Sequence, residues 1–217
     1  MAVGGGLYGA ARVLEEVPVG FSGHLVFGCS ERPLLQSPVF DAMHQESKDS
    51  VHTSWPRSGG WQTLRLDNGL WEEEDLAALV AWTRAPACVA DVYDSGVALL
   101  TGRAPDGQKW QACLNMEAAA SLWAEEPEDM EDVSVWVSTP GFRESVERKR
   151  AELLAGVPDS ARGARVWAAA AGRAGTAEQS TIEQLLCSHE TFVEDLFDAL
   201  LDALGFPPAA KPANESE

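Results

Sequence analysis

The sequence predicts an α+β fold: an antiparallel β-meander packed with several helices and completed by a long amphipathic C-terminal helix. Three observations carry this expectation. Residues 88–93, 97–102 and 108–115 are strand-like runs separated by Asp94-Ser95-Gly96 and Ala104-Pro105-Asp106-Gly107, both rich in turn-forming residues. In the third run Trp110, Ala112 and Leu114 share one face and Gln111, Cys113 and Asn115 the other, which is the period of two expected of a strand. Residues 72–83 and 182–204 instead repeat their apolar positions at helical spacing. The 217 residues are 45% apolar with eight tryptophans, enough to build a folded core despite the charge.

From the start of the chain, Gly4-Gly5-Gly6 reads as a flexible beginning and 24–29 (HLVFGC) as a short buried strand. Residues 30–60, with Pro33, Pro38, Pro56 and a polar stretch over 45–54, show little periodicity and are expected to be a long irregular loop. Residues 61–66 alternate as a strand, and Asp67-Asn68-Gly69 turns the chain. The helix over 72–83 follows, with Leu76, Leu79, Val80 and Trp82 in register and acids in its first turn, where the dipole favours them. After the meander come a short helix over 116–124, an acidic stretch over 125–132 and a strand over 133–137. Pro140 opens a helix over 141–155, which Val157-Pro158 is expected to end. Residues 165–171 fit a strand or a helical turn. Ser180-Thr181-Ile182-Glu183 reads as a capping box opening the last helix, and Gly205, Pro207 and Pro208 stop it near Leu204. The expected organisation is a single α+β domain over 1–208 with a disordered tail over 209–217.

The formal net charge of −18 disfavours nucleic acid, whose phosphates call for clustered Lys and Arg, and anionic membrane surfaces; it suits a basic protein partner or solubility alone. No stretch reaches the roughly 18–20 apolar residues of a membrane span, and residues 1–11 do not read as a secretory leader. Four scattered cysteines, Cys29, Cys88, Cys113 and Cys187, point to a reduced, cytoplasmic setting. The Ala, Gly and Arg usage of 161–174 suggests a GC-rich coding sequence and a bacterial source.

On the last helix Ile182, Leu185, His189, Val193, Leu196 and Leu200 gather on one side, which places His189 in the interior. Glu190, Glu194, Asp198 and Asp202 climb the other side at i,i+4, with Asp195 beside them. No Lys or Arg occurs between residues 174 and 210, so these acids lack helical partners and repel one another. Either they pair with distant bases, Arg143, Arg148, Lys149, Arg150, Arg162, Arg165 and Arg173 being the available set, or they meet a basic partner. Trp55 and Trp61, in the loop TSWPRSGGW, form a second candidate contact surface, since aromatic and Arg side chains anchor interfaces. Trp71, Trp82, Trp110, Trp123, Trp136 and Trp167 are assigned to the core.

Catalytic signals are weak. Gly4, Gly6 and Gly9 match a dinucleotide fingerprint only in spacing, because no strand precedes them. Ser22 and His24 miss the nucleophile elbow by one position, and any Cys–His pairing is unspecific. His44 and His52 flank Glu46 and Asp49, a loose metal-ligand set, but no cofactor or metal is assigned. The leading expectation is therefore a non-enzymatic acidic interaction protein, of the immunity or antitoxin type, that inhibits a basic protein through Glu190, Glu194, Asp195, Asp198 and Asp202 or through Trp55 and Trp61. The alternatives are a hydrolase or transferase whose site is assembled from the 21–61 region, and a structural subunit of a larger complex.

Overall fold

The structure, a computed structural model, describes residues 20–42, 51–67, 71–125, 133–173 and 177–210. Its centre is a six-stranded sheet in the order β2-β3-β1-β4-β5-β6, antiparallel at every pairing. The strands are β1 (Gly23–Cys29), β2 (Val51–Pro56), β3 (Trp61–Asp67), β4 (Ala87–Tyr93), β5 (Val97–Arg103) and β6 (Lys109–Leu114). The expected meander is thus β4-β5-β6. Its first hairpin closes through three residues, Asp94-Ser95-Gly96, with Asp94 and Ser95 both at φ 50 and Gly96 N–H donating to the Tyr93 carbonyl.

Strand alternation divides the interior in two. Leu25, Phe27, Cys88, Ala90, Leu100, Trp110 and Ala112 point to one face, covered by α5 (Pro140–Ala170), α6 (Gln179–Leu186) and α7 (Val193–Ala203). Val26, Leu64, Leu66 and Val89 point to the other, covered by α1 (Pro38–Ala42) and α2 (Glu73–Thr83). The short helices α3 (Met116–Leu122) and α4 (Val133–Trp136) connect β6 to α5. Among the described residues no helix is long and apolar enough to cross a membrane.

Four expectations need correction. The 30–60 region is not one irregular loop: it holds a 3-10 turn at Leu34–Gln36, α1 and the edge strand β2. The strand expected over 133–137 is the helical turn α4, because Trp136 packs edge-on against Phe142, their rings 4.8 Å apart, and Thr139 Oγ1 donates to the Trp136 carbonyl at 2.7 Å. Pro158 does not end its helix, and 165–171 is the last part of the same element. An internal proline costs about 3 kcal/mol, but α5 buries Val157, Ala161, Ala164, Trp167 and Ala168 on one stripe against the sheet, and that burial prevails. Finally, the chain from 180 to 204 is two helices, and Glu178 rather than Ser180 stands at the N-cap. Outside the described residues lie the glycines near the start of the chain and all but Glu125 of the acidic stretch.

Small residues let α5 approach the sheet. A Cβ on Gly163 would sit 2.7 Å from the Trp110 Cβ, and one on Gly102 would strike the Trp110 ring. Gly163→Val should therefore destabilise the protein by about 2 kcal/mol through overpacking; an unchanged urea midpoint would show that α5 can shift freely.

Candidate functional site

The break between α6 and α7 builds a dense polar arrangement. Asn115, 1% exposed and left-handed at φ 57, ends β6. Its Nδ2 donates to the Gly96 and Glu190 carbonyls at 2.8 and 2.9 Å, and its Oδ1 accepts from Glu190 N–H at 3.1 Å. Val193 N–H donates to the Ser95 carbonyl at 2.8 Å. The main chain of Glu190 and the Val193 N–H are thus bonded to distant residues where the periodic segment divides into two helices. Ser95, also buried, accepts from Phe21 N–H at 2.8 Å and donates to Glu194 Oε1 at 2.7 Å. A hairpin tip, the start of β1 and the start of α7 are locked together through two side chains whose sequence context marks them only as strand and turn.

Tyr93 and Phe192 are exposed; they precede Ser95 by two residues and Val193 by one, the two positions of this knot whose main chains are hydrogen-bonded to each other. Asp94, Glu190, Asp195 and His189 around them are not buried either. The interior position expected of His189 is not found: the residue falls in the break, where helical facing no longer applies.

The other acids are occupied within the fold. Arg57, in the turn between β2 and β3, has a side chain with no exposure at all. Its guanidinium donates to Asp198, to Asp202 Oδ1 at 2.9 Å and to the Pro207 carbonyl at 2.8 Å, and it lies over the Phe27 ring with its central carbon 5.8 Å from the centroid. Partial burial, with Asp202 and Asp195 nearby, pushes the Asp198 carboxyl above its ordinary range, while Arg57 pulls it down. The distant base that pairs with the acidic helix is Arg57, which is not among the bases expected to do so. Glu194 is held by Ser95. Of the five candidate acids, Glu190 and Asp195 are therefore the two whose carboxylates serve neither the knot nor the clamp.

The two loop tryptophans are also placed by the sheet. Trp61 opens β3, is 4% exposed and stacks on Phe27 with centroids 4.9 Å apart, so it offers no contact surface. Trp55 lies in β2, half-buried against the same core. Trp110, Trp136 and Trp167 are buried, Trp71 and Trp82 are partly buried and pack against the second core, and Trp123 is partly buried.

Covalent chemistry finds little support. Ser22 lies before β1 and accepts from Asp94 N–H at 2.9 Å, whereas an elbow serine follows its strand. His24 Nδ1 is 2.7 Å from Asp91 Oδ1 on the neighbouring strand. Burial pushes up all four thiols: Cys113 to about 12, Cys88 further, Cys29 against the pull of Arg173, and Cys187 with the help of Glu183. Such thiols carry almost no thiolate at neutral pH. His44, Glu46, Asp49 and the side chain of His52 lie outside the described residues, among which no group of three or more His, Cys, Asp or Glu could hold a metal. No protein family, no curated protein and no solved structure matches the chain.

Proposed function

We propose that the chain is a non-enzymatic interaction protein that binds a basic protein partner, in the manner of an immunity or antitoxin-type inhibitor, through the surface around Tyr93 and Phe192. The observation that carries this reading is the Asn115–Ser95 knot. It anchors the main chain beside the exposed residues Tyr93 and Phe192 and beside Asp94, Glu190 and Asp195, so that this stretch of backbone needs little ordering on binding. Aromatic anchors supply affinity, and the acids around them speed encounter with a cationic surface. The net charge of −18 acts in the same direction at longer range.

Charge reversal is informative only at acids the fold does not use. Glu190→Lys with Asp195→Lys keeps the Glu190 main-chain bonds and leaves the Arg57 clamp intact. Wild-type tagged protein, used for capture from its native lysate, should retain a basic protein at low salt and release it as salt rises. The double variant should bind the isolated partner at least tenfold more slowly. Unchanged association would remove this surface from consideration, and the absence of any salt-sensitive basic partner would remove the reading itself.

A further inference from the structure

Where the middle of α5 runs beside β5 and β6, the packing leaves a cavity of about 400 Å³. That is within the range of small-molecule sites, roughly 300–1,000 Å³. Its walls are largely apolar, with Leu99, Met116, Leu153, Val157 and Leu186 among them. Thr101, Gln111 and Ser160 supply neutral polar groups, and Asp91 and Glu152 supply carboxylates; among the described residues no Lys or Arg lines it.

Two features shape this space. The first is Gly156, inside α5 and at the cavity wall. Glycine weakens a helix interior, and a Cβ built on Gly156 would meet nothing within 4 Å, whereas at Gly163, two turns on, the Trp110 side chain demands glycine. Packing therefore does not require a glycine at 156, and its missing side chain leaves that wall open. The second is Asp91, whose carboxylate is held from β1 by His24 at 2.7 Å and so keeps a fixed direction beside an apolar wall. Glu152 pairs with Lys149 at 2.7 Å, but its side chain is 67% exposed, and an exposed pair of this kind exchanges readily for another cation.

We infer that this cavity binds a small organic amine. The ammonium group lies against the Asp91 carboxylate with Thr101 and Gln111 as neutral hydrogen-bonding partners, and the apolar body packs on Leu99, Leu153 and Val157. Lining that bears carboxylates and no cations selects against organic anions, and the apolar walls select against small hydrated cations. The inference does not depend on the partner-binding surface, which involves different residues.

The test uses the full chain with phenethylamine, tryptamine and octylamine as probes, and with 2-phenylethanol and 3-phenylpropionate as neutral and anionic counterparts of the first. Titration followed by backbone amide NMR should show saturable shifts at Thr101, Gln111 and Gly156 with at least one amine. Binding of 2-phenylethanol should be at least tenfold weaker than that of phenethylamine, and 3-phenylpropionate should not bind. Asp91→Asn should weaken amine binding about tenfold, as expected for loss of one charge-assisted contact. Gly156→Met should close the cavity, abolishing amine binding while raising the thermal midpoint, which separates occlusion from unfolding. The inference is overturned by an absence of saturable shifts with all three amines up to about 10 mM, by equal affinity for phenethylamine and 3-phenylpropionate, or by amine binding that survives in a folded Gly156→Met protein.

Discussion

Removing the carboxylates that hold Arg57 should cost more stability than removing Arg57 itself. The guanidinium is fully buried, whereas the side chains of Asp198 and Asp202 are 48% and 51% exposed. Asp198→Ala with Asp202→Ala leaves a cation out of water with the Pro207 carbonyl as its one remaining acceptor among the described residues, and should cost about 3–5 kcal/mol. Arg57→Met removes the buried charge and leaves two carboxylates that water reaches, a loss of about 1–2 kcal/mol. The triple variant should recover much of the difference, since an apolar replacement of a buried ion cluster is often tolerated. Urea unfolding of the four proteins decides the matter: a double variant as stable as wild type would mean that Arg57 reaches solvent when its acids are gone.

Trp167→Ala is expected to be the most damaging single truncation, at about 3–5 kcal/mol. Trp167 is 2% exposed, and its ring centroid lies 5.6 Å from that of Trp110, 5.1 Å from Phe206 and 6.2 Å from Phe27. Its indole N–H is shared between the Ala87 and Arg103 carbonyls at 3.1 and 3.2 Å, so it joins α5 to β4 and β5 as well as filling space. Trp167→Phe retains most of the packing but leaves those carbonyls without the indole donor, and should lose about 1–2 kcal/mol. A Trp167→Ala protein with an unchanged midpoint would show that the core on this face of the sheet collapses readily around the gap.

Local chemistry makes much of the fold legible. The β4-β5-β6 meander is written in alternating residues and the Asp94-Ser95 turn, and α2 in its apolar spacing and acidic first turn. What is not legible has non-local causes. Pro158 breaks a helix in isolation, and only the Val157–Trp167 stripe against the sheet outweighs that tendency. The break at 187–192 depends on Asn115, which is 75 residues from Glu190, and no helical period can show it. The candidate surface is legible in its charge but not in its placement. Glu194, Asp198 and Asp202 look unpartnered in the sequence because Ser95 and Arg57 are distant along the chain, and Tyr93 and Phe192 stand out only once the turn and the helix break are side by side.

The Arg57 clamp also bears on how the chain is made. Arg57 and Asp198 are 141 residues apart, and the Phe27–Trp61 stack is closed edge-on by Phe206, at 5.0 and 4.6 Å. At a synthesis rate of about 5–20 residues per second, the interval between the emergence of these partners from the ribosome is on the order of ten seconds. During that time the Phe27–Trp61 stack lacks its edge-on cover and Arg57 its carboxylates, so native closure belongs to the moments after residue 206 is released.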